Sequence, residues 1–115
     1  MTEPASPEHF EFLLVDNFSH LAFSSAVEPL RLANHVSKCS LYDWSFASET
    51  GEFARASNGS ETRVSRSIKD AGHADYLFVL AGLGVQFAET SDLMSTVRRA
   101  RAHGVKIGAL CSGAY

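Results

Sequence analysis

Four apolar runs, separated by stretches of helical or turn character, organise the chain. The first, Phe10 to Val15 (FEFLLV), stops at Asp16-Asn17 and reads as a buried strand. From Ser19 to Lys38, Leu21, Ala22, Ala26, Leu30 and Ala33 recur at helical spacing around Pro29. Proline has no N–H to give to the preceding turn, so the pattern predicts a kink there, or two short helices with Pro29 opening the second. Tyr42 to Ser48 (YDWSFAS) alternates Tyr42, Trp44 and Phe46 on one face, a second strand. FARAS and ETRVS then flank Asn58-Gly59, whose tolerance of positive φ at both positions predicts a tight hairpin beside the main sheet. Asp75 to Leu80 (DYLFVL) is a third strand running into Ala81-Gly82-Leu83-Gly84. Thr90 or Ser91 can cap a helix carrying Leu93, Val97 and Ala100 on one face, Gly104 closes it, and Val105 to Leu110 is the fourth strand.

Strands alternating with helices imply parallel pairing through right-handed crossovers, so the predicted fold class is α/β, a doubly wound parallel sheet with a β-hairpin. Met1 to His9, polar and carrying Pro4 and Pro7, reads as a flexible leader, which leaves 10–115 as the domain. A length of 115 residues, with 45% hydrophobic and 20% charged, suits one small domain and excludes a disordered or fibrous chain. No apolar run approaches the ~20 residues of a membrane span, and the first nine residues lack a signal peptide's basic and apolar regions. A cytoplasmic protein without a membrane partner is expected. Two cysteines without a CxxC pair and five histidines without ligand spacing predict no disulfide framework, no metal and no cofactor. A net charge of −3 carries no footprint for nucleic acid in this segment.

Ligands in doubly wound sheets collect beyond the carboxyl ends of the strands. Asp16-Asn17-Phe18, Ala81 to Gly84 and Cys111-Ser112 are expected to converge there. In VKIGALCSGAY, Cys111 ends a strand among the small residues Ala109, Gly113 and Ala114, as a nucleophile on a sharp turn requires. The Ser112 amide and those of the Gly82 loop then supply oxyanion donors, and a following helix favours the thiolate. The competing reading is a small, inert, buried cysteine. Gly82-x-Gly84 lacks the third glycine and the lysine-serine pair of a phosphate loop, so it reads as a turn. Asp16 reads as a turn or cap acceptor, His20 as solvated or capping, and Arg98, Arg99 and Arg101 as a solvated face at a helix C-terminus. Phe18, Phe23 and Trp44 can attract an organic cation, with core packing the favoured role.

In their order and spacing, FLLVDNFSHLAFSSAVEPLRLAN, the Asn-Gly hairpin, DYLFVLAGLG and GALCSGAY resemble the ThiJ/PfpI-like, class I glutamine amidotransferase-like superfamily. More closely, they resemble the N-terminal domains of GlxA-type regulators of the AraC family, over Phe10 to Tyr115. The resemblance implies a flavodoxin-like sandwich, usually a homodimer, that senses a small molecule and precedes a DNA-binding domain with two helix-turn-helix units. It also implies an effector pocket lined by Asn17, Phe18, Gly82, Leu83, Gly84, Cys111 and Ser112, and an effector such as carnitine or glycine betaine.

In the catalytic relatives an acid on the first helix partners the elbow cysteine, and that position falls on Ala22 here. Glu28, about two turns on, matches the family's structural glutamate, which supports helix and loop packing. Positioned proton transfer is typically worth ~10²–10⁴-fold in rate, so its loss favours a sensor. The alternative is a cysteine hydrolase, hydratase or glyoxalase-like enzyme with Cys111 as nucleophile, and a third reading is a redox-sensing thiol. Tyr115 falls in the first turn of the helix expected after Cys111. The chain is therefore expected to be the front piece of a longer protein, with closing strands and the DNA-binding domain beyond 115. Alone, it is expected to be poorly soluble because its fourth strand keeps an exposed edge.

Overall fold

The first strand, β1 (Glu8–Leu14), sends alternate side chains into two separate apolar clusters. Phe10, Phe12 and Leu14 enter one, and Leu13, with Val15 just beyond the strand, enters the other. Burial on both faces is what a parallel sheet covered by helices on both sides demands. In the computed structural model, which describes residues 6–82 and 91–111, β1 lies in the middle of a five-stranded parallel sheet of order β5-β2-β1-β6-β7. Its other strands are β2 (Tyr42–Ser48), β5 (Arg66–Ser67), β6 (Tyr76–Ala81) and β7 (Lys106–Cys111). The register sets Phe12 against Phe46 on one side and Phe78 on the other. Helix α1 (His20–Ser37) adds Val27, Ala26 and Leu30 to the aromatic cluster, and α2 (Ser91–Ala102) adds Leu93 and Ala100 to the opposite, aliphatic one. The expected doubly wound α/β architecture is the one observed. From β1 the chain moves to β2 on one side and later returns past β1 to β6, so the strand order reverses between β1 and β6.

The structure corrects four local expectations. The leader ends earlier than residue 9: Glu8 pairs with Tyr42 and gives its N–H to the Leu41 carbonyl at 3.1 Å, so His9 is a strand residue. Of the two outcomes expected at Pro29, division into two helices does not occur, because α1 runs as one helix through it. Pro29 and Ser25 both lie on the exposed side, so water can satisfy the Ser25 carbonyl that loses its partner. Ser19 caps the helix by accepting the Ala22 N–H at 3.1 Å, and Lys38, at φ 59°, ends it.

The hairpin forms its own two-stranded sheet, β3 (Phe53–Arg55) with β4 (Glu61–Arg63), but only Gly59 of the Asn-Gly pair has a positive φ, 90°. Gly59 N–H reaches the Ala56 carbonyl and Ala56 N–H the Ser60 carbonyl, the wider three-residue loop with glycine at the bulge. The fourth correction is an addition, β5 and the 3₁₀ turn Ile68–Asp70, both too short to leave a periodic pattern. Among the described residues, no helix is long and apolar enough to cross a membrane.

Candidate functional site

At the carboxyl end of β1 the chain is pinned on both sides. Val15 N–H bonds the Leu80 carbonyl of β6 at 3.0 Å, and Phe18 N–H turns back to the Val15 carbonyl at 3.0 Å. The hairpin then clamps the loop: Asp16 Oδ1 accepts the Arg55 N–H at 3.0 Å, Asn17 N–H bonds the Arg55 carbonyl at 2.8 Å, and Ser57 N–H bonds the Phe18 carbonyl at 2.8 Å. Asn17 closes this loop at φ 74°, a left-handed conformation that asparagine tolerates better than most residues. Asp16 is thus a turn residue, one of the two roles expected of it, and a cross-link to the hairpin, while the cap of α1 is Ser19.

This clamping separates the predicted residues by depth. Asn17 is exposed at the rim, whereas Phe18 is wholly buried and meets the Phe23 ring edge-on at 5.7 Å. Gly82, buried, follows β6, and Cys111 ends β7 with its backbone paired to Ala81. Asn17, Gly82 and Cys111 therefore terminate three neighbouring strands at the same end of the sheet. Leu83, Gly84 and Ser112, together with Thr90, Gly113 and Ala114, lie outside the described residues. At the Asp16 side of the loop an open cavity of about 440 Å³ is lined by Asp16, Thr50, Glu52, Phe53, Arg55 and Glu61. Sequence reading did not single out Thr50 and Glu52, which follow the carboxyl end of β2 and reach the β1 loop where the hairpin is clamped to it.

The first turn of α1 carries no acidic residue, and Ala22 is there, its N–H held by Ser19. Glu28 does not reach the loop: its carboxylate pairs with Arg31 of the same helix at 2.7 and 3.0 Å, both side chains exposed. The hydrogen bond from Arg31 holds the Glu28 carboxyl below the usual glutamate range, and the same bond raises Arg31. His20 is half-buried, its ring edge-on to Phe23, and Phe23 and Trp44 pack against the aromatic cluster, in keeping with the core role. Arg98 and Arg101 are exposed as expected, but Arg99 is a strut whose guanidinium donates to the Ala71 and Lys69 carbonyls.

Known proteins share this chain almost end to end. It is 34% identical to the HTH-type transcriptional regulator GbdR of Pseudomonas aeruginosa over 110 residues, 96% of the chain. It is 37% identical to the regulator CdhR of the same species over 92% of the chain, and 33% identical to the regulator GlxA of Rhizobium meliloti over 90%. Over almost its whole length the chain is thus similar to a part of each of three HTH-type transcriptional regulators. It spans 30%, 31% and 32% of the length of GbdR, CdhR and GlxA. No protein-family profile matches it.

The chain has the fold of solved structures at lower identity. An AraC family transcriptional regulator from Pseudomonas putida superposes with a TM-score of 0.78 at 24% identity, over 90% of this chain and 55% of that one. The DJ-1 superfamily protein Atu0886 from Agrobacterium tumefaciens superposes at 0.67 with 17% identity, over 93% and 55%. The flavodoxin-like α/β fold is thereby shown.

Proposed function

We propose that this chain is the effector-sensing domain of a cytoplasmic transcriptional regulator. It binds a small metabolite at the carboxyl ends of β1, β6 and β7 and controls DNA binding by an AraC-type helix-turn-helix domain carried elsewhere in a longer protein. The observation that carries this reading is the match of 90–96% of the chain to three HTH-type regulators. The clamped β1 loop supports the location, since its bonds to Leu80 of β6 and to Arg55 of the hairpin fix Asn17 at the end of the sheet where β6 and β7 also finish. Asn17, Gly82, Leu83, Gly84, Cys111 and Ser112 line the pocket in this reading, and Phe18 sets the loop from beneath. The absence of a carboxylate in the first turn of α1 supports a sensor, with Cys111 as a lining residue.

The regulator acts as a homodimer with two arrangements that the effector binds unequally, because equal affinity switches nothing. A quaternary amine is the first effector class to test, since aromatic faces hold such cations and Phe23 is only half-buried above Phe18. Carnitine, glycine betaine and choline titrated calorimetrically into the full-length protein are expected to give heat with at least one of them. The same ligand is expected to change operator affinity, and Cys111→Ser is expected to keep that response. Absence of heat with all three rejects the quaternary amine. A full-length protein that binds no operator DNA, or one that turns over an ester or glyoxal substrate and loses this with Cys111→Ser, rejects the regulator reading.

A further inference from the structure

On the α2 face, toward the amino ends of the strands, four polar side chains form a continuous line. Asp43 Oδ2 is 3.0 Å from His9 Nδ1, His9 Nε2 is 2.9 Å from Ser45 Oγ, and Ser45 Oγ is 3.3 Å from Glu11 Oε2. The strand register creates the line, since His9 faces Asp43 and Glu11 faces Ser45 across β1 and β2. Side-chain exposure falls along it, from 63% at Asp43 through 28% at His9 to 1% at Glu11. At the buried end, Glu11 Oε1 accepts the Gly72 N–H at 2.8 Å, and Oε2 also meets Arg66 Nη1 at 3.2 Å.

Counting hydrogens shows that the line has two states. Ionised Asp43 and Glu11 only accept, so the hydrogen between Asp43 and His9 must sit on Nδ1. A neutral imidazole then has a bare Nε2, which takes the single Ser45 hydroxyl hydrogen and leaves Glu11 without it. When a proton from solvent adds to Nε2, that N–H donates to Ser45 Oγ, and the Ser45 hydroxyl hydrogen turns to Glu11. We propose that Ser45 is a proton-operated switch which couples the charge of His9 to the grip of Glu11 on the Gly72 segment. Gly72 sits at φ 102° against Thr96 and Ala100 of α2, so the buried end of the line is where α2 meets the sheet.

Histidine is the side chain that changes charge between about pH 5 and 8. The other charged or titratable groups near the line, among the described residues, are Arg66 on β5, His73 and Asp75 before β6, and Arg99 and His103 at the end of α2. Asp75 accepts the His9 backbone N–H at 2.8 Å, and Arg99 binds the Ala71 carbonyl. The Asp-His-Ser order does not make Ser45 a nucleophile, because the Glu11 carboxylate beside Oγ opposes an acyl oxyanion.

The test is hydrogen exchange of the segment around Gly72 in the full-length protein from pH 5 to 8, corrected for the intrinsic rate. Protection is expected to fall about tenfold as pH rises, the scale of one weakened hydrogen bond. His9→Gln and Ser45→Ala are expected to flatten the profile, while Ser45→Thr, which keeps the hydroxyl, and His73→Gln retain it. A flat profile in the unmodified protein overturns the proposal, as does an unchanged slope in Ser45→Ala or a slope lost in His73→Gln. If Ser45→Ala does not fold, the His9→Gln and Ser45→Thr profiles decide it.

Discussion

On the α1 face of the sheet, Phe10 and Phe12 of β1 each stack with Phe78 of β6, at 6.2 and 5.9 Å, and Phe46 of β2 continues the row to Phe23 of α1. On the α2 face, Leu13, Ala47, Leu77 and Ala81 pack with Leu93 and Ala100, and the buried carboxylate of Glu11 sits on the same side. The same strands build both, since alternate residues of β1 serve opposite faces. What differs is the kind of specificity. Ring packing tolerates exchange of one apolar group for another of similar volume, whereas each member of the Glu11 line needs its polar partners.

The sharpest way to break this comparison is to make a similar change on each face. Glu11→Leu keeps bulk but leaves the buried Gly72 N–H without its acceptor, while the partly exposed Arg66 guanidinium turns to water, and the expected loss is about 3 kcal/mol in urea unfolding. Phe12→Leu, at a site just as buried, is expected to lose only about 1–2 kcal/mol. Equal losses would mean that the α1 face is as exacting as the α2 face.

A smaller effect measures the slack left in the aromatic row. A Cβ on Gly108 of β7 would lie 2.4 Å from Cε1 and 2.6 Å from Cδ1 of Phe78, so Gly108→Ala must displace a rigid ring. We expect a loss of about 1–3 kcal/mol, most of it recovered in the double variant with Phe78→Leu. Failure of the second change to rescue would locate the strain in the β7 backbone instead.

The smallest effect belongs to the outer surface of α1, as a control for both faces. The Glu28 carboxyl, lowered by Arg31, is expected to titrate below the ordinary glutamate range and to return to it in Arg31→Ala, read by NMR. A depressed folded value means that its contribution is present above the unfolded glutamate range and is lost as pH falls through the folded value. Exposure keeps that contribution too small to move the melting temperature noticeably.

Much of this frame is legible in the chain because apolar periodicity and strand packing are local statements. Tyr42 to Ser48 is the strand the alternation of Tyr42, Trp44 and Phe46 predicts, and Leu93 and Ala100 are buried as their helical spacing requires. Pro29 does not divide α1, because the cost of a proline depends on whether solvent reaches the carbonyl it orphans, which the helix's orientation decides. Asn58-Gly59 marks a hairpin correctly but not its loop, since the flanking Ala56–Ser60 pairing selects the wider turn. Strand order alone brings Asn17, Gly82 and Cys111 to the same end of the sheet. The depth of Phe18 and the clamp through Arg55 are invisible until the hairpin is docked.

The sequence by itself determined the α/β order, the two-faced burial of β1 and the kinship with GlxA-type regulators. Those depend on which residues recur, and at what period. Only the tertiary structure decided that Glu11, in the middle of FEFLL, is a buried anion answered by Arg66, Ser45 and Gly72. A charge in an apolar run is satisfied or ruinous according to partners that lie 34, 55 and 61 positions away, and only the fold brings them within reach.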